Sequence, residues 1–173
     1  MKIGIHLTRS KSFIKIDQKV KKGATMDEKK FQEIIRFAMD KESRSNQFYL
    51  SAIQVAKHFG AKELFLDLAK EEEGHRRLLE NLDMEKVSRS RIEKVPDLMI
   101  SNYLMEIEFK PDLSYAEILR VAMKMEERSL KLYEDMKEKN TDEEIKKLFT
   151  FLANEEAKHK FRLEKIYDEE VLK

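Results

Sequence analysis

The chain has 173 residues, 40% of them charged, but 35 Lys and Arg stand against 34 Asp and Glu, so the overall balance gives no electrostatic argument for nucleic acid. It contains no cysteine, which excludes disulfides, iron–sulfur clusters and any thiol nucleophile, and leaves nitrogen and oxygen as the ligands for a metal. Four glycines and two prolines supply little turn material, and no apolar run reaches the roughly 18 residues of a membrane span, so an all-α, cytoplasmic protein is expected.

Residues 1–25 carry seven Lys and Arg against one acid, Asp17. They read as a basic extension, loosely docked or disordered, rather than as an arm for an anionic partner. Ile3, Ile5 and Leu7 alternate as in a short strand, and Met26 is a candidate natural start. Residues 26–173 are expected to form one domain. Thr25 and Glu28 make a capping box that opens a first helix, which runs to about His58 and is ended by Gly60. A second helix is predicted from Ala61 to Leu82. A third opens at a Ser114/Glu117 box and runs to Lys139, and a fourth opens at a Thr141/Glu144 box and runs to Tyr167. Between the second and third lie about 31 residues, Asp83 to Leu113, with Pro111 near one end and the amphipathic stretch PDLMISNYLMEI inside. A connection that long suits a crossover along a four-helix bundle.

The chain repeats itself without gaps at an offset of 84 residues. Nine of 17 positions agree between 33–49 and 117–133, and ten of 19 agree between 62–80 and 146–164. What recurs is a pair of helical faces. Steps of three and four residues trace the buried seam of each helix. On the first the seam reads Phe31, Ile35, Ala38, Glu42, Ser45, Tyr49, Ala52, Ala56; on the third, Tyr115, Leu119, Ala122, Glu126, Ser129, Tyr133, Met136. The second gives Ala61, Phe65, Leu68, Glu72, His75, Leu79, Leu82, and the fourth Ile145, Phe149, Leu152, Glu156, His159, Leu163, Ile166.

Four carboxylates and two imidazoles therefore interrupt one apolar interior at midlength. Buried unpaired carboxylates cost several kcal/mol each, and two divalent cations would neutralise four of them. Glutamate and histidine at i and i+3 share a helix face, so each Glu-x-x-His pair can present an oxygen and a nitrogen to one ion, with Glu42 and Glu126 completing or bridging the two positions. One such pair on a charged helix is ordinarily solvated; two in matching apolar frames are not. Salt bridges from neighbouring Arg or Lys are the alternative, but Arg44 and Arg128 fall off the seam. Glu71 and Glu155 also recur four residues before each histidine and compete with Glu72 and Glu156 on spacing alone.

These residues resemble the ferritin-like di-iron carboxylate superfamily, over about residues 27–168. FAMDKESRSNQFY (37–49) and VAMKMEERSLKLY (121–133), each with a tyrosine seven residues after the glutamate, are most similar to the rubrerythrin branch. The resemblance implies a ferritin-like four-helix bundle with a long crossover between helices 2 and 3. It also implies Glu42, Glu72, His75, Glu126, Glu156 and His159 as ligands of two iron ions, with manganese or zinc as substitutes, and so decides against Glu71 and Glu155. Tyr49 and Tyr133 are expected to donate hydrogen bonds to ligand carboxylates. The implied activity is two-electron reduction of hydrogen peroxide or dioxygen in defence against oxidative stress. Lacking cysteine, the chain departs from rubrerythrins that carry a rubredoxin domain, so an external rubredoxin-like donor is expected. A homodimer, and no membrane or nucleic-acid partner, complete the expectation. Ser129 stands three residues after the helix-three glutamate, where rubrerythrins place a further carboxylate, and Ser45 is its counterpart on helix one, a departure that bears against fast peroxide turnover of the rubrerythrin kind. Ferroxidase or iron-handling activity is the rival reaction, cage storage being disfavoured by an end at Lys173 without a fifth helix. A non-enzymatic, metal-stabilised interaction bundle is the rival class.

Overall fold

Burial at helical period decides how the long segments pair. The computed structural model describes residues 28–56, 59–105, 110 and 113–173. Among them run α1 (Glu28–Val55), α2 (Phe59–Asn81), α3 (Met84–Arg89), α4 (Ile100–Tyr103), α5 (Tyr115–Lys139) and α6 (Glu143–Glu170), with no strand. The expected all-α bundle is observed: α1 packs on α2 and α5 on α6 as two hairpins, and the crossover between them carries α3 against α6 and α4 against α5. The basic segment 1–25, the alternation at Ile3, Ile5 and Leu7, Met26, the Thr25 cap, His58 and Pro111 lie outside the described residues.

Two helix ends differ from expectation. Gly60 does not end the first helix: α1 stops at Val55 and α2 begins at Phe59, so Gly60 lies in the first turn of α2. The link is short because Ala56 and Ala61 are both buried, which pulls the two ends of the hairpin together. At α6 the cap is Asp142 rather than Thr141, its carboxylate accepting from Glu144 N (2.9 Å) and Ile145 N (3.1 Å). A charged acceptor at a helix N-terminus also meets the favourable end of the dipole, which a threonine hydroxyl cannot match. The Ser114/Glu117 box forms as read, Ser114 Oγ accepting from Glu117 N and Glu117 Oε2 from Ser114 N.

The crossover is tied along one face of α6. Asn154 exchanges hydrogen bonds with the backbone of Glu93 (2.7 and 3.2 Å), Lys160 reaches Asp97 (2.5 Å), and the buried Glu164 accepts from Leu98 N (3.1 Å) and Ser101 N (3.0 Å). The repeat counterparts on α2 are Lys70, Arg76 and Glu80, none of them buried, with Arg76 and Glu80 paired to each other. The same helical face is thus covered on α6 and left to solvent on α2.

Two apolar plugs result. One gathers Tyr49 and Ala52 of α1 with Ala56 just beyond it, Ala61 to Ala69 of α2, Ile118 to Met123 of α5, and Leu163 and Tyr167 of α6. The other gathers Ile35 and Ala38, Leu78 and Leu79, Tyr133, and Leu148 to Ala153. On every long helix the seam glutamate falls between the two, so the polar layer is closed off at both ends. Glu164→Ala would leave the buried Ser101 amide and the part-buried Leu98 amide of the crossover without an acceptor and Lys160 short of a partner; a loss of about 2 kcal/mol is expected, measured by urea denaturation.

Candidate metal centre

The seam positions converge. Glu42, Glu72, Glu126, Glu156 and His159 have no exposed surface, and His75 has 5%. Their ligand atoms fall into two groups, Glu42, Glu72, His75 and Glu156, and Glu72, Glu126, Glu156 and His159; within each group the atoms lie within 4.8 Å of one another. Glu72 and Glu156 belong to both. The shared carboxylates are therefore those of the two Glu-x-x-His pairs, while Glu42 and Glu126 each serve one group. The imidazoles stack with ring centroids 5.6 Å apart.

The repeat becomes an approximate twofold in space. Tyr49 stacks on Phe65 and Tyr133 on Phe149, both with centroids 6.0 Å apart. Each tyrosine donates its hydroxyl across the bundle, Tyr49 to Glu126 and Tyr133 to Glu42, so each carboxylate is held by the opposite hairpin. Ser45 and Ser129 are buried one turn beyond the glutamates and both turn to Met125, Ser45 Oγ toward Sδ (3.8 Å) and Ser129 Oγ donating to the carbonyl (2.9 Å). Arg44 and Arg128 are exposed, as their positions off the seam imply.

Two functional contacts escape a reading by seams. Lys41 reaches into the cluster, its Nζ 2.9 Å from Glu156 Oε1, 3.5 Å from Glu42 Oε1 and 3.8 Å from Glu72 Oε2, with the Tyr133 ring 5.3 Å away. The lysine neutralisation weighed as an alternative is thus present, from the residue beside Glu42. Glu71, partly exposed, joins from outside: it contacts His159 Nε2 (2.8 Å) and accepts from Arg162 (2.8 and 2.9 Å). A carboxylate on the far nitrogen of a histidine fixes the ring. Both involve breaks in the repeat, Lys41 matching Met125 and Arg162 matching Leu78, but a break alone does not say where a side chain reaches.

Electrostatics follow from this crowding. Burial penalises charge on every carboxyl. It prevails at Glu156, held well above the usual range, and at Glu42. At Glu72 burial is overcome only by the Lys41 charge together with hydrogen bonds to Glu42 and His159, and the carboxyl stays below the usual range; at Glu126 the neighbouring Glu156 and His159, with Lys41, overcome burial and bring it to about 2. Burial likewise opposes charge on the imidazoles, yet Glu42 and Glu72 lift His75 to about 9, and Glu126, Glu71 and Glu72 hold His159 well above its ordinary value. A divalent cation binding here must take the place of those protons.

The donor atoms are those such a cation needs. Glu42 Oε2, Glu72 Oε2, His75 Nδ1, Glu126 Oε2 and both oxygens of Glu156 are buried without a hydrogen-bond partner, although Lys41 lies close enough to Glu156 for an ion pair. Buried polar atoms are almost always satisfied, so their concentration in one layer fits metal ligation. A cleft of about 510 Å³, lined by Glu71, His75, Lys86, Arg91, Phe151 and Glu155 among others, opens over His75.

A four-helix bundle with a buried carboxylate–histidine layer of this kind defines the ferritin-like class. Within it, the model of the Rubrerythrin family matches residues 8–167, and the chain belongs to that family. The chain is also similar to a solved structure of a hypothetical protein from Pyrococcus furiosus, at 28% identity and a TM-score of 0.58, over 79% of this chain and 87% of that one. No curated protein matches it. Tyr133→Phe and Tyr49→Phe each remove the donor of a buried carboxylate and are expected to lower stability by about 2 kcal/mol; chemical denaturation of the two variants measures it.

Proposed function

We propose that the protein is a di-iron oxidoreductase that reduces hydrogen peroxide, or dioxygen less readily, with electrons from an external donor protein. The observation that carries this reading is the pair of overlapping four-residue groups, buried between two apolar plugs and rich in unsatisfied donor atoms. Glu42, Glu72, His75 and Glu156 would hold one ion, and Glu72, Glu126, Glu156 and His159 the other. Mixed oxygen and nitrogen donors without sulfur suit iron, and also manganese. Bound as ferrous ions, the pair supplies one electron each, the two that hydrogen peroxide needs, with two protons, to leave as two waters.

The chain's own residues set the conditions for that reaction. Four carboxylates match two divalent cations in charge, which offsets the cost of holding them in an apolar interior. Tyr49 and Tyr133 orient Glu126 and Glu42 from the opposite hairpin, and Glu71 orients His159. Ser45 and Ser129 are small where a further carboxylate would crowd the layer, which leaves the oxidant space. The cleft over His75 offers small molecules an approach, while the plugs keep bulk water from the ends of the layer. Without a cysteine the chain has no iron–sulfur or rubredoxin-type relay of its own, which supports an external donor.

The test is metal analysis followed by rapid mixing. Protein loaded anaerobically with ferrous iron is expected to hold two ions per chain and to be oxidised faster by peroxide than by oxygen. Glu156→Ala, which removes a carboxylate common to both groups, should abolish binding at both positions. Faster oxidation by oxygen would instead point to ferroxidase activity, and absence of bound metal would refute the enzyme reading.

A further inference from the structure

The repeat makes the two groups nearly equivalent, and two places beside the polar layer where it fails weigh against the same one. We propose that Lys41 is a built-in competing cation for the His75 group, so that the two positions take up divalent metal in order, the His159 position first. The inference rests on the metal-centre reading above.

Three observations support it. The first is placement. Lys41 Nζ lies against Glu42, Glu72 and Glu156, three of the four residues of the His75 group, and Glu42 belongs to that group alone. A divalent cation entering there meets an ammonium already among its ligands. Like charges that close repel strongly in a medium of low polarity, so the ammonium must move before the ion is fully ligated. With 13% of its side chain exposed, Lys41 sits at the edge of the layer, where its long stem can turn the charge toward water.

The second is the repeat. The residue 84 positions after Lys41 is Met125, so the repeat position that carries an ammonium beside the His75 group carries an uncharged thioether in the other half, its Sδ 3.8 Å from Ser45 Oγ. The third is preorganisation. His159 Nε2 lies 2.8 Å from Glu71, itself fixed by Arg162. The corresponding carboxylate over His75 is Glu155, 4.0 Å from Nε2 and paired with Lys158, because Leu78 stands where α6 has Arg162. The ring of His159 is therefore set for ligation, and that of His75 is held more loosely.

Isothermal titration of metal-stripped protein with Co²⁺ under argon tests the proposal, with metal analysis giving the stoichiometry. Wild-type protein is expected to bind in two steps, the second weaker by about tenfold or more. Lys41→Met should bring the steps to within roughly threefold by strengthening the weaker one, whereas Lys41→Arg, which keeps the charge, should leave them apart. Met125→Lys, the reciprocal change, should weaken the tighter step; it decides the matter if Lys41→Met, stripped of its internal counter-charge, proves unfolded by circular dichroism. Two equal sites in the wild type, or steps unmoved by these substitutions, would overturn the role of Lys41 while leaving the metal centre intact. Failure of the wild type to bind Co²⁺ at all would overturn both.

Discussion

Everything in this bundle answers to the cost of holding four carboxylates in an apolar interior. A solvated glutamate on a helix surface interacts weakly with its neighbours, whereas a buried one must be neutralised, hydrogen-bonded or ligated. The structure supplies partial answers to each demand: a tyrosine hydroxyl for Glu42 and for Glu126, imidazoles beside Glu72 and Glu156, and the Lys41 ammonium. They do not exhaust the acceptors, since the layer still holds donor atoms with no partner. The apolar plugs make the demand severe, because they deny those atoms the water that would otherwise satisfy them.

The duplication explains why the layer is built so economically. One helical hairpin bearing a seam glutamate and a Glu-x-x-His pair can bury neither its apolar face nor its charges alone. Two copies facing each other bury both and exchange tyrosine hydrogen bonds across the join. Once the halves are separate stretches of one chain they are free to diverge. They have done so where the surroundings differ: Asn154, Lys160 and Glu164 of α6 grip the crossover, while their counterparts on α2 do not. The same freedom distinguishes the surroundings of the two histidines, with Arg162 behind Glu71 on one side and Leu78 at its counterpart on the other.

Much of this was legible in the sequence because helical period maps directly onto burial. Phe65, Leu68, Leu79 and their partners 84 residues on are buried, and Glu72 and His75 lie in the frame they define. Three things were not legible. Lys41 is off the seam and reaches the layer only through its flexible stem, so helical position alone gave it no role. Glu71 and Glu155 recur identically yet differ in surroundings, because what fixes Glu71 is Arg162, on another helix 91 positions away. The hold of Glu164 on Leu98 and Ser101 is likewise non-local, and no spacing rule encodes it. The ends at Gly60 and Thr141 differ from expectation for a local reason: the glycine is tolerated inside a first turn, and Asp142 is the better cap.

The central claim is that Glu42, Glu72, His75, Glu126, Glu156 and His159 would hold two metal ions between the hairpins, Glu72 and Glu156 being common to both groups. Anomalous diffraction at the iron edge, from crystals of the ferrous-loaded protein grown without oxygen, tests it directly. The account predicts two iron peaks per chain, one beside His75 and Glu42 and one beside His159 and Glu126, with Glu72 and Glu156 contacting both. Iron found elsewhere, or ligated through Glu71 and Glu155 in place of Glu72 and Glu156, would contradict it.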